Sequence, residues 1–78
     1  MMEIEKFVGE FAAQFDDTPV ESFKSDTIFR ETTEWDSLIA LSIIALADDE
    51  YSVKLTGDDI RSAVTINDIF EIIKAKKG

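Results

Sequence analysis

Apolar residues follow two different patterns along this chain, and the change between them outlines its architecture. Ile4, Phe7, Val8, Phe11 and Phe15 fall at the i, i+3, i+4, i+7, i+11 spacing of one helical stripe, which predicts a first helix over residues 3–15. Glu3 and Glu5 lie in its first turn, where negative charge suits the helix dipole, and Asp16-Asp17-Thr18-Pro19 ends it. The last segment carries a similar stripe in Ile66, Ile69, Phe70 and Ile73. It opens on the capping-box pair Thr65 and Asp68, and Lys74, Lys76 and Lys77 complement its C-terminal dipole.

Residues 16–35 form a long connection with signals of its own. Thr18-Pro19-Val20-Glu21 reads as a cap, a proline at the first helical position and a reciprocal acid, so a short helical turn is expected there. Val20, Phe23, Ile28 and Phe29 are expected to pin the loop by burying apolar surface. Farther on, Tyr51 to Gly57 alternates apolar with polar, but no second strand candidate exists to pair with it, so an extended loop is predicted. Asp58 to Ser62 reads as a short helix. The fold class is therefore all-α: a small four-helix bundle of three main helices and a short third one, with a long loop after helix one, in a single domain over residues 1–78.

The segment from Asp36 to about Glu50, helix two, follows the other pattern, because it is apolar nearly all round. At 100° per residue, Ile39, Ala40, Ile43, Ile44, Leu46 and Ala47 share one broad arc, while Leu38, Leu41 and Ala45 lie roughly opposite. One small core cannot easily bury both. The second set is expected to form a docking strip, the alternative being that it packs under the long loop. Asp48 and Asp49, followed by Glu50, supply negative potential at the far end, either as a solvated face or as a rim that steers basic partners.

Composition removes several function classes. The 78 residues contain no cysteine and no histidine, which rules out Ser-His-Asp and Cys-His catalysts and the commonest metal ligands. No run has the alternating acids, central glycine and terminal Glu of an EF-hand loop. With 17 acidic against 8 basic residues, the net charge of −9 disfavours nucleic acid and anionic membrane surfaces. Residues 1–6 lack the pattern of a secretion signal, and the longest apolar run is too short to span a bilayer, so a cytoplasmic monomer without membrane insertion is expected.

Ser37 stands where the loop becomes helix two. Its hydroxyl has two readings: an ordinary first-turn residue behind an Asp36 cap, or an attachment point whose anionic group is stabilised by free N–H groups and the positive helix end.

At Asp36-Ser37-Leu38 the chain resembles the acyl carrier protein family, whose attachment motif is Asp-Ser-Leu. The likeness extends through helix one, Phe29 before the motif, the apolar helix two ending in Asp48-Asp49-Glu50-Tyr51, the Val53/Leu55 segment and Val64-Thr65-Ile66. It implies a non-catalytic carrier bearing covalent 4′-phosphopantetheine on Ser37, transferred from coenzyme A by a separate phosphopantetheinyl transferase with Mg²⁺. The arm's thiol would hold acyl groups for the enzymes of a lipid, polyketide or other specialised pathway. Asp36 and Leu38 would be read by the transferase, and loading and transferring enzymes would dock through basic or apolar patches. Family members serving fatty acid synthesis usually have acids where this chain has Ile39 and Ser42. Partner recognition is accordingly expected to involve Ile39, Leu41, Ser42, Ala45, Asp48 and Asp49, and Trp35 before the motif is similar to stand-alone carriers of specialised pathways. Two alternatives stay open: an unmodified acidic adaptor that binds a protein through helix two, and an aminoacyl or peptidyl cargo.

Overall fold

The computed structural model describes residues 3–77, so Met1 and Met2, on which part of the secretion-signal reading rests, lie outside the described residues. Four α-helices and two single-turn 3₁₀ segments follow in order: α1 (Ile4–Ala12), 3₁₀ turns at Val20–Ser22 and Phe29–Glu31, α2 (Ser37–Tyr51), α3 (Gly57–Ser62) and α4 (Ile66–Lys77). No strand forms among the described residues, and the 51–57 segment is an extended loop whose Val53 and Leu55 are buried. The all-α four-helix arrangement is the predicted one.

α1 packs on α2 and α4, and α3 packs on α4. The predicted stripes form the interface: Phe7, Phe11, Ile43, Ile66, Ile69 and Ile73 are fully buried, together with Phe29 from the loop. Rings are the main filling. Phe7 meets Phe11, Tyr51 and Phe70 with centroids 6.0, 5.9 and 5.4 Å away, in the offset and edge-on geometries that aromatic pairs prefer.

α1 is shorter than predicted. It stops at Ala12, after which Gln14 and Phe15 donate to the carbonyls of Phe11 and Ala12 in tight i→i+3 bonds; Phe15 is buried all the same. The turn expected after Thr18 forms at Val20–Ser22, but not with the expected cap. Pro19 is the N-cap, and the Thr18 hydroxyl donates to Glu34 at 2.8 Å. Of the residues expected to pin the loop, Phe23 and Phe29 are buried, whereas Val20 and Ile28 remain exposed. The difference is one of partners. The loop is also held by polar bonds: Glu34 accepts from the N–H groups of Asp16, Asp17 and Thr18, and Ile66 and Asn67 donate to the carbonyls of Thr27 and Ser25.

α2 runs one residue past the expected end and closes on Ser52, whose φ of 56° is left-handed; the Ser52 N–H donates to the Asp48 carbonyl and the Val53 N–H to that of Ala47. Beside that end the Tyr51 hydroxyl donates to Glu10, and Lys77 donates to the Tyr51 carbonyl at 3.1 Å. Burial, with Glu10 alongside, pushes the phenol well above its ordinary range, so Tyr51 stays a donor at neutral pH.

Candidate functional site

The start of α2 combines both readings of Asp36-Ser37. Asp36 is the N-cap, in extended conformation, and its Oδ1 accepts from the Ile39 N–H at 2.9 Å. Ser37 is then the first helical residue and is exposed, with the capping duty taken by its neighbour. A hydroxyl that the cap does not use is available for attachment.

A groove of about 490 Å³ lies beside it, within the ~300–1,000 Å³ range of small-ligand sites. Asp36 and Ser37 line it together with Trp35, Ala40, Leu41 and Ile44, and α3 supplies Ile60 and Arg61 opposite. Arg30 of the loop completes the wall. Its guanidinium lies 5.0 Å from the Phe29 ring centre and donates to the carbonyls of Ala63, at 2.6 Å from Nη1, and Arg61, at 2.8 Å from Nη2. These bonds tie the loop to the end of α3, where carbonyls lack helical partners. Arg61 is largely exposed and pairs with Asp58. Two cations thus share a groove with Ser37 in a chain of net charge −9. A positive helix end at Ser37 and an apolar wall beside it fit a phosphodiester followed by a less polar arm.

The three α2 residues expected to form a strip are exposed, and Leu41 among them also borders the groove. Leu38 and Leu41 are 71% and 61% exposed, and Ala45 is exposed with them, while Ile43 and Ala47 are fully buried opposite. Asp48 and Asp49 are exposed at the other end of the helix, and Lys54 pairs with Asp48 at 3.1 Å. Ile39 and Ser42 stand apart from this group. Ile39 packs against the core, and the half-buried Ser42 turns its hydroxyl onto the Leu38 carbonyl at 3.1 Å.

Arg30, Ile60 and Arg61 were not identified as site residues from the sequence, because their place depends on how α3 lies against α2. A lone arginine after Phe29 has no periodic signature. The Glu34 staple is equally non-local. Burial alone would raise its pKa, but the bonds from Asp16, Thr18 and Asp17 outweigh this and hold the carboxyl below its ordinary value.

Among the described residues no group of three or more His, Cys, Asp or Glu is arranged to hold a metal ion, and no helix is long and apolar enough to cross a membrane. No family model matches the chain. A curated protein of Beutenbergia cavernae named acyl carrier protein is 32% identical over 50 residues, covering 64% of this chain and 61% of that protein. An acyl carrier protein of Kineococcus radiotolerans is 27% identical over 60 residues, covering 77% of this chain and 74% of its own length. Alignment with these relatives, on an all-α four-helix fold, relates this chain to the acyl carrier protein family.

Proposed function

We propose that residues 1–78 form one carrier domain that is modified at Ser37 with 4′-phosphopantetheine and serves as a carrier, not a catalyst, for acyl groups in a specialised biosynthetic pathway. The observation that carries this reading is the division of labour at the start of α2: Asp36 caps the helix, and the Ser37 hydroxyl is left exposed at a groove. The relatives named acyl carrier proteins support the same role.

In the attachment step, Ser37 Oγ attacks phosphorus in the pyrophosphate of coenzyme A on a separate Mg²⁺-dependent transferase. A phosphodiester bond to Ser37 forms, the bond between the two phosphates breaks, the adenosine bisphosphate half leaves, and the hydroxyl proton passes to the transferase. Once attached, the group supplies a thiol that holds an acyl chain as a thioester, a chemistry a cysteine-free chain lacks. The chain's own residues favour the anion through the positive end of α2, at whose first position Ser37 stands.

Recognition is assigned to the exposed surface. Asp36 and Leu38 face the transferase, and Leu38, Leu41 and Ala45, with Asp48 and Asp49 at the far end, face loading and transferring enzymes. Ile39 and Ser42, where carriers of fatty acid synthesis usually have acids, add no charge beside this surface, and the exposed Leu38 and Leu41 leave it oily, which favours a dedicated partner with an apolar patch.

Incubation with coenzyme A, Mg²⁺ and a broad-specificity transferase, read by intact mass, tests the reading. A gain of one phosphopantetheine is expected. No gain, under conditions that modify a control carrier, would leave the unmodified adaptor, which presents the same strip.

A further inference from the structure

Any group tethered at Ser37 has two apolar places within the fold to occupy: the groove itself or the interior behind it. The inner wall of that groove is Trp35. Its indole is half-buried and stands against the core, 4.7 Å from the Phe29 ring centre and 6.4 Å from Phe11, whose ring plane is within 1° of its own. Contact continues inward from Phe11 to Phe7 and from Phe7 to Phe70, at 6.0 and 5.4 Å. Phe7, Phe11 and Phe29 have no exposed surface. Close-packed protein interiors admit a new chain only by displacing side chains, and a stack of rigid rings has fewer ways to give than a cluster of aliphatic groups.

We propose that Trp35 is a specificity-determining stop: the group carried on Ser37 lies in the groove against the indole and does not pass into the ring cluster. The proposal rests on the reading of Ser37 as the attachment site. It assigns this carrier short acyl cargo, because the part of a longer chain that outruns the groove stays in water, where its apolar surface is not buried. It also makes the groove the place where cargo is sensed, since Trp35 and Ser37 share it.

Trp35 is the only tryptophan in the sequence and so reports on its own environment. The test loads the full chain from butyryl-, octanoyl- and palmitoyl-coenzyme A with a broad-specificity transferase and Mg²⁺, verifies each product by intact mass, and maps backbone amide shifts and the melting midpoint. Shift changes are expected at residues 35–44 and 57–61 in all three products, with a change in Trp35 fluorescence and the same midpoint for the butyryl and palmitoyl forms. In Trp35→Leu, which keeps apolar bulk but opens the wall, the palmitoyl form is expected to shift Phe11 and Phe29 and to melt above the butyryl form of the same variant. If that variant does not fold, the wild-type maps decide alone. Shifts at Phe7, Phe11 or Phe70 in wild-type palmitoyl protein, or a midpoint that climbs with chain length, would overturn the proposal while leaving the attachment reading intact. No added mass with any donor, when a control carrier is modified, would overturn both.

Discussion

The starts of α2 and α4 are built from similar residues and finished differently. At α4 the exchange is reciprocal: the Thr65 hydroxyl accepts from the Asp68 N–H at 3.1 Å, and the Asp68 carboxylate accepts from the N–H groups of Thr65 and Val64, each at 3.0 Å. α3 closes the same way through Thr56 and Asp59. At α2 only half of this is present, because Asp36 caps the Ile39 N–H and an isoleucine has no group with which to answer. The hydroxyl next to that cap is exposed at a groove instead of being spent on the helix end. A helix that serves only the fold closes its start; one that offers an attachment point leaves the start partly open.

The largest effect that would break this comparison is on modification. Ser37→Ala is expected to abolish the phosphopantetheine mass gain completely while shifting stability by no more than ~0.5 kcal/mol, since Asp36 retains the cap. A large loss of stability in denaturant unfolding would mean that the hydroxyl is structural after all. The interior should respond in the opposite sense. Phe11→Ala, at a fully buried ring, is expected to cost about 3–5 kcal/mol, a large share of the ~5–15 kcal/mol typical of a native domain, as read from urea or thermal unfolding.

The closed starts come next in size. Thr65→Ala is expected to cost about 1 kcal/mol in the same unfolding experiment and to leave modification at the wild-type level. Acid sharpens the contrast. Asp59 is held low first by the Thr56 N–H, Asp68 by the N–H groups of Thr65 and Val64, and Glu34 by its loop bonds, which outweigh the effect of burial. Because the folded pKa lies below the unfolded one, these groups contribute stability in full above the ordinary carboxylate range and lose it as pH falls through the lowered folded values. The urea midpoint is therefore expected to fall gradually with acidification below that range, and Asp68→Asn should flatten part of the slope. The smallest stability effect is at the strip: Leu41→Glu is expected to change unfolding by within ~0.5 kcal/mol and leave far-ultraviolet circular dichroism unchanged, while weakening pull-down of the partner enzyme. Loss of helicity would show Leu41 to be part of the core.

How much of this was readable in advance depended on the reach of each interaction. The Ile66, Ile69, Phe70 and Ile73 stripe and the Thr65–Asp68 pair involve neighbours within a few turns, and the structure reproduces both. The two-sided wheel of helix two likewise separated buried Ile43 and Ala47 from exposed Leu38 and Leu41. Thr18 and Glu21 carry a similar local pattern to Thr65 and Asp68, yet Thr18 bonds to Glu34, 16 residues away, and local spacing could not reveal that competitor. The same limit hid the groove. Ser37 was visible from its motif, but Arg30, Ile60 and Arg61 come to it only through the packing of the loop and α3 around α2.

The most direct measurement of the central claim locates the modification. After incubation with coenzyme A, Mg²⁺ and transferase, tryptic cleavage after Arg30 and Lys54 releases residues 31–54, which contain the open start of α2 together with Ser42 and Ser52. Fragmentation of that peptide is expected to place one phosphopantetheine on Ser37 and nowhere else; an added mass on Ser42, on Ser52 or outside the peptide, or none where a control carrier is modified, would contradict the account.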